Sequence, residues 1–346
     1  MSRPELRLST DRLAWNIAAV RDRIAPSELM MVLKDDAYGH GLTWAVETGL
    51  AAGVDWYGAY DVCSGVRVRE ILGAHGRIFA WVTSIDDEID EALRHDIDLG
   101  VGSTEYLSAV IARATALGIR ARIHLKIDTG LHRNGMLPEE WEQTIADVRR
   151  AESDGAVALV GIWSHLAEAS DEEDDDARRE FLHAVEISGR SGEVPDALHL
   201  TASAASWWRP ELRGTVSRIG AFCYGIRSAD GPDLEGIAPV AELVATVTEV
   251  RGDEVAVAIG SFDGIPSLLA GSAIGTPAGA RTLVRVGETS SIVSAWPGAA
   301  EGAPVWIFGA GDHGESSATT LAERIDTVGE EILTRLTSRI RRVVVK

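Results

Sequence analysis

The sequence predicts an α/β fold: an eight-stranded (β/α)8 barrel followed by a smaller, mostly β domain. Three observations point to it. Short apolar β-like runs recur through the first two thirds of the 346 residues, each followed by a helical pattern. Eight such units fit within roughly 220 residues, the number and size of a closed barrel. Past residue 230 the texture changes to β-like runs punctuated by Gly and Pro. A doubly wound open sheet is the alternative, but eight units at this spacing favour closure.

The predicted strands are 29–34 (LMMVLK), 55–60 (DWYGAY), 77–82 (RIFAWV), 97–101 (IDLGV), 121–127 (ARIHLKI), 157–164 (VALVGIWS), 197–201 (ALHLT) and 216–222 (VSRIGAF). Helical patterns lie between them. Residues 104–118 and 139–152 are apolar at every third or fourth position, with Ser103 or Thr104 as N-cap and Gly118 as stop for the first. The barrel is expected over 6–230. A linker, "GPDLEGIAPVAEL", leads into the β domain at 231–346, with ELVATVTEV, EVAVAIG, RTLVRV, SSIVSAW, APVWIFG and RIRRVVVK as strands and one helix around 318–338. Residues 1–8, through "ELRLS", add a strand to that domain.

Composition narrows the function. A net charge of −20 argues against nucleic acid and anionic membrane, since both need a basic face. No apolar run reaches the length of a membrane span, and the start "MSRPELRLSTDR" is polar, so the expected location is the cytoplasm. Cys63 and Cys223 form no disulfide framework, and no Cys/His spacing suits a metal. Cys223 reads as a buried thiol and Cys63 as helix packing. The acidic "DEEDDD" at 171–176 reads as a solvated loop or helix start.

The chain holds three lysines, Lys34, Lys126 and Lys346, against 30 arginines. Lys34 ends the apolar run "MMVLK", where a charge is costly. In a barrel, catalytic groups stand at the C-terminal ends of strands. The polar residues there are Lys34, Lys126, Asp128, Arg133, His165, Ser203 and Arg218. A lysine in a partly dry barrel mouth is a good nucleophile toward a carbonyl. The carbonyl belongs either to a substrate, as in an aldolase, or to pyridoxal 5′-phosphate (PLP). Ser203 and the "GAFCYG" loop suit a phosphate.

"VLKDDAYGHG" resembles the lysine signature of the alanine racemase family. The resemblance continues in order through "HLKIDTGLHRNGM", "GIWSHLAEASDEE", "LHLTASAASWWRPE", "SRIGAFCYGI", "AIGSFDGIP" and "IDTVGEEIL", covering nearly the whole chain. It implies a PLP-binding TIM barrel with a C-terminal β domain, and interconversion of L- and D-alanine that supplies D-amino acid for the cell wall. It implies that Lys34 holds PLP and is the base on one face of the substrate α-carbon. Tyr38, Ser203, Gly220 and Ala221 match phosphate ligands. Arg133 matches the arginine near the PLP phenolate and the substrate carboxylate, and Lys126 a lysine, often carbamylated, that positions it. His165 matches the histidine bonded to the next arginine. Arg218 matches the arginine facing the pyridine nitrogen, which keeps that nitrogen unprotonated and the ring a weaker electron sink, suited to proton removal and return.

The chain also departs from the family pattern. Racemisation needs a second base on the opposite face. In the family that base is a tyrosine from the partner subunit, placed shortly before the motif matched by "IGSFDG". The five tyrosines here are Tyr38, Tyr57, Tyr60, Tyr106 and Tyr224, none in the C-terminal domain. The family's methionine–aspartate pair falls near Glu288 and Thr289, a late phosphate-binding tyrosine at Glu330, an asparagine at Ala202 and a glycine at His132. Three readings follow. The chain is a divergent amino-acid racemase, a homodimer with His132, His313 or a water as second base. Or it is a one-base PLP enzyme acting on another amino acid. Or it is a catalytically altered or inactive PLP-binding paralogue, in one form the heterodimer partner of a complete racemase.

Overall fold

The structure, a computed structural model, describes residues 3–346. Two compact units are present. One comprises Val20–Lys34 and Gly49–Gly220; the other comprises the N-terminal residues to Ala19, Asp35–Thr48 and Ala221–Lys346. The first strand, β1 (Glu5–Ser9), lies in the second of these.

The unit built around residues 49–220 is the barrel. Its strands are β2 (Glu28–Val32), β3 (Trp56–Tyr60), β4 (Arg77–Ala80), β5 (Asp98–Val101), β6 (Ala121–Gly130), β7 (Val157–His165), β8 (Ala197–His199) and β9 (Val216–Ile219). All eight predicted strands form. They pair in parallel in the order β8-β7-β6-β5-β4-β3-β2-β9. The two ends of that path meet: Leu198 N–H donates to Thr215 Oγ1 at 2.8 Å, and Arg218 N–H to the Thr201 carbonyl at 3.3 Å. The sheet is therefore nearly closed.

Inside it, Met30, Trp56, Phe79, Trp163, Ala197 and Val216 pack as one cluster. Each large side chain removed from water contributes on the order of 1.5–3 kcal/mol before entropy is counted. The helices begin and end where the sequence signals it. The Ser103 side chain accepts from Tyr106 N–H at the start of Thr104–Leu117, and Gly118 closes that helix in the left-handed region. The acidic run opens the helix Asp171–Arg190 behind a Ser170 cap, with four carboxylates at the positive end of the helix dipole. Cys63 does not pack a helix core as expected: it lies on the exposed side of the helix Val62–Leu72, whose buried stripe is Val62, Gly65, Val68 and Leu72. Cys223, in the other unit, is buried.

The second unit carries β10 (Ala241–Arg251), β11 (Glu254–Val257), β12 (Ala273–Ile274), β13 (Arg281–Val286), β14 (Ser291–Ser294), β15 (Pro304–Phe308) and β16 (Arg341–Val345). The sheet order is β12-β13-β14-β11-β10-β1-β16, with β15 on β10. The N-terminal strand β1 sits antiparallel to β10 and parallel to β16, burying Leu6 and Leu8.

The single helix expected at 318–338 is two short helices, Ala318–Glu323 and Gly329–Thr334. Asp326 breaks them by taking φ 56°. Gly329 opens the second helix because a Cβ there would stand 2.7 Å from Ile226 Cγ2.

The glycine-rich turn after Lys34 has an unexpected form. Asp35, Asp36, Ala37 and Tyr38 are all left-handed, with φ 54°, 56°, 55° and 54°. Each such L-residue costs roughly 1–2 kcal/mol. The turn persists because it is held. Gly39 N–H donates to the Asp35 carbonyl and Gly41 N–H to that of Asp36, both at 2.9 Å, and Arg342 Nε donates to the Gly39 carbonyl at 2.8 Å. Gly39, at φ +79°, lies so close to the second short helix that a Cβ would meet the Leu333 carbonyl oxygen at 2.8 Å.

Candidate active site

Barrel strands deliver the groups. Lys34 follows β2 by two residues and is half-buried, with Leu33 N–H tied to the Gly58 carbonyl at 2.9 Å. Lys126 points inward from β6 and is 2 % exposed. Its Nζ donates to the Asn134 backbone carbonyl at 2.7 Å and to the Asn134 side-chain oxygen. A tight loop brings Asn134 there. Met136 N–H donates to the Lys126 carbonyl, Asp128 N–H to that of Met136, and Gly135 at φ +142° leaves no room for a Cβ against Asp128. Arg133 stands exposed on the same loop.

Arg218 projects from β9 and is buried. Nη1 donates to His199 Nδ1 at 3.0 Å and to the His199 carbonyl at 2.7 Å. Nη2 donates to the Ser164 carbonyl at 2.8 Å, His165 Nδ1 at 3.1 Å and the Leu200 carbonyl at 3.2 Å. Ser203, first residue of the short helix Ser203–Trp208, accepts from Gly220 N–H through Oγ at 3.2 Å.

These groups share one electrostatic field. Burial pushes His165 down to about 3, and Arg218, Arg133, Lys126 and Lys34 push it the same way. Burial, then Arg133 and Arg218, draw Lys126 down to about 8. Burial draws Arg218 down to about 9, against the pull of Glu168. Four cationic side chains at the barrel mouth thus act on a neutral imidazole, two of them, Lys126 and Arg218, buried. Such a mouth holds an anion. An anionic group bearing an aldehyde fits it, with the Lys34 amine among the four cations. PLP is such a group.

Tyr38 and Ala221 lie in the other unit. Tyr38 is buried, 5.3 Å from the Tyr224 ring. Its hydroxyl is held well above its ordinary value by burial, then by the Glu330 carboxylate, with a hydrogen bond from the Ala221 backbone acting the other way. Ala221 opens a 3-10 turn, Ala221–Tyr224. His132 is exposed, 3.5 Å from Asp128, and His313 stacks on Trp306 at 3.5 Å.

The buried set Asp98, His124 and His199, and the loop residue Asn134, escape the sequence reading. A signal exists. His124 and Lys126 are two apart in a strand, so they share the inward face.

Fold and site together define a nearly closed parallel barrel with a lysine among other cationic side chains at its mouth. Residues 8–228 match the N-terminal domain of alanine racemase and residues 245–344 its C-terminal domain. The chain belongs to the alanine racemase family. It is 33% identical to the alanine racemase of Thermobifida fusca, across 98% of this chain and 97% of that protein, and 32% identical to that of Beutenbergia cavernae, across 96% and 95%. The Thermobifida fusca comparison runs over 373 positions, more than the 346 of this chain, so that relative carries segments absent here. The alanine racemase from D-cycloserine-producing Streptomyces lavendulae superposes with a TM-score of 0.91 at 28% identity, covering 100% of this chain and 98% of that one. The Corynebacterium glutamicum enzyme gives 0.88 at 29%, covering all of both chains. Among the described residues, no helix is long and apolar enough to cross a membrane.

Proposed function

We propose that the chain is a PLP-dependent amino-acid racemase acting on alanine. The observation that carries this is the convergence of Lys34, Lys126, Arg133 and Arg218 around neutral His165. Bound PLP supplies the electron sink that acidifies the α-C–H of an attached amino acid. Lys34 would hold it covalently. By the family resemblance, Ser203, Gly220, Tyr38 and Ala221 are the residues that would hold its phosphate.

Each residue then has a task. Lys34 Nζ takes and returns the α-proton on one face. Arg218, held through its two Nη atoms by five protein acceptors, would have only Nε–H left to offer the ring nitrogen. His165, being neutral, accepts from Arg218 and adds no proton of its own. Arg133 meets the substrate carboxylate, held in place by the loop that Lys126 and Asn134 close. The protein acts as a homodimer, as the family resemblance implies. A water, His132 or His313 serves the second face.

A second reading rests on the same sequence. No tyrosine occurs after Tyr224, and the chain is shorter than its alignment with the Thermobifida fusca relative. In this reading Lys34 works from one face only, on alanine or another amino acid, or a complete racemase subunit lends its tyrosine in a heterodimer.

Titration of the purified chain with PLP tests the cofactor assignment. A visible absorption band that survives dialysis is expected, lost in Lys34→Ala. No band in the unaltered chain would overturn it.

A further inference from the structure

We propose that Asp98, His124 and His199 form a one-way hydrogen-bond relay through the barrel interior that positions the Arg218 guanidinium. The relay rests on geometry within the barrel; its use toward a cofactor rests on the function proposed above.

The direction follows from donor chemistry. Arg218 can only donate. Its Nη1 lies 3.0 Å from His199 Nδ1, so Nδ1 accepts and the single proton of a neutral His199 is on Nε2. His199 Nε2 lies 2.8 Å from His124 Nδ1 and must donate to it. His124 in turn carries its proton on Nε2, 3.2 Å from Asp98 Oδ2, which accepts. The opposite tautomer at either histidine would set two donors or two acceptors face to face. Both imidazoles are fully buried and kept neutral chiefly by that burial.

The far end is anchored as firmly as the near end. Asp98 accepts from Arg77 Nη2 at 2.8 Å and from Arg122 Nε at 2.5 Å. The rings are clamped by packing. His124 lies 4.6 Å from Phe79, and His199 stacks on Trp163 at an interplanar angle of 9°. Gly161 in β7 yields the space, since a Cβ there would sit 2.0 Å from His124 Nδ1.

Apolar side chains would fill this interior at lower cost than a carboxylate and two imidazoles. A fully satisfied polar chain instead fixes one arrangement. It makes His199 Nδ1 a strong acceptor, and together with the Ser164, His165 and Leu200 acceptors it commits both Nη atoms to the protein. Asp98, His124 and His199 are positioning residues, acting on the mouth only through Arg218.

The test is ¹⁵N NMR of the histidine-labelled full chain without added PLP, so it does not depend on the cofactor assignment. The expected result is Nε2–H, Nδ1-unprotonated rings at both His124 and His199. His124→Phe keeps the ring volume but removes the relay. His199 is then expected to keep Nε2–H, because Arg218 still donates to Nδ1, but its Nε2 resonance is expected to shift as the acceptor is lost, with recovery in His124→Gln, which can both accept and donate. In the PLP-loaded protein, His124→Phe is expected to shift the visible band and lower kcat on the order of tenfold with KM little changed, with recovery in His124→Gln. An Nδ1–H or doubly protonated ring at either histidine of the unaltered chain would overturn the proposal even if His124→Phe did not fold. So would a folded His124→Phe in which the His199 Nε2 resonance is unchanged.

Discussion

Arg218 Nη2 donates to His165 Nδ1 across 3.1 Å, so the imidazole nearest the cluster of cations is a hydrogen-bond acceptor and not an acid. His165 is pushed down to about 3 by burial and then by Arg218. His165→Gln keeps an acceptor and is expected to leave the Lys34–PLP band in place. His165→Lys adds a fifth cation to the mouth, and PLP-free protein is expected to lose about 1–3 kcal/mol of stability by denaturant unfolding.

Acid should unfold the protein early. Burial holds His40 down at about 4 and His165 at about 3. Both bind fewer protons folded than unfolded between those values and the ordinary value near 6.5. Stability therefore rises with pH through that window and is lost as pH falls from about 6.5 toward 3–4. Each histidine adds a slope of at most about 1.4 kcal/mol per pH unit. Asp98, lowered to about 2 mainly through its His124 hydrogen bond against the cost of burial, adds a further loss below about pH 4. Urea midpoints at pH 7.5, 6 and 5 measure this; a flat profile would contradict it.

Lys126 should lose its proton well below the ordinary lysine range, chiefly because it is buried. With three lysines in the chain, ¹³C-methylation gives few resonances, and one is expected to titrate near pH 8. Asn134→Ala removes one acceptor of its ammonium and is expected to lower that value further.

Most of the fold was legible, because it is written in period. Eight apolar runs between helical patterns gave the eight strands, and Ser103, Gly118 and the acidic start at Asp171 marked helix ends by local capping chemistry. What stayed hidden depends on partners distant in sequence. The left-handed turn at Asp35–Tyr38 is held by Arg342 and the approach to Leu333 at Gly39; the two aspartates tolerate that region, but nothing in "KDDAY" calls for four such residues in a row. The helix break at Asp326 needs a non-glycine residue at positive φ. In the site, the strand-end polar residues were readable one by one. The links among Asp98, His124, His199 and Arg218 were not, since each joins a different strand.

Gly39→Ala tests the turn. The new methyl would meet the Leu333 carbonyl at 2.8 Å in a backbone already at φ +79°. A loss of about 1–3 kcal/mol is expected in denaturant unfolding, together with weaker PLP retention.

Glu330→Gln should strengthen PLP binding. The Glu330 carboxylate is the largest charge acting on Tyr38, a residue proposed to hold the phosphate. Removing that charge is expected to lower the PLP Kd several-fold, by fluorescence titration, with the gain greatest at low salt.

The most direct measurement is α-proton exchange. PLP-loaded protein is incubated with L-alanine in D₂O, and deuterium incorporation and D-alanine are followed by NMR and chiral chromatography, with Lys34→Ala alongside. The predicted result is deuterium at the α-carbon and accumulation of D-alanine, both absent in Lys34→Ala. Exchange without D-alanine would contradict racemisation and leave a one-face Lys34. No exchange from a chain that shows the bound-cofactor band would contradict the proposed activity on alanine altogether.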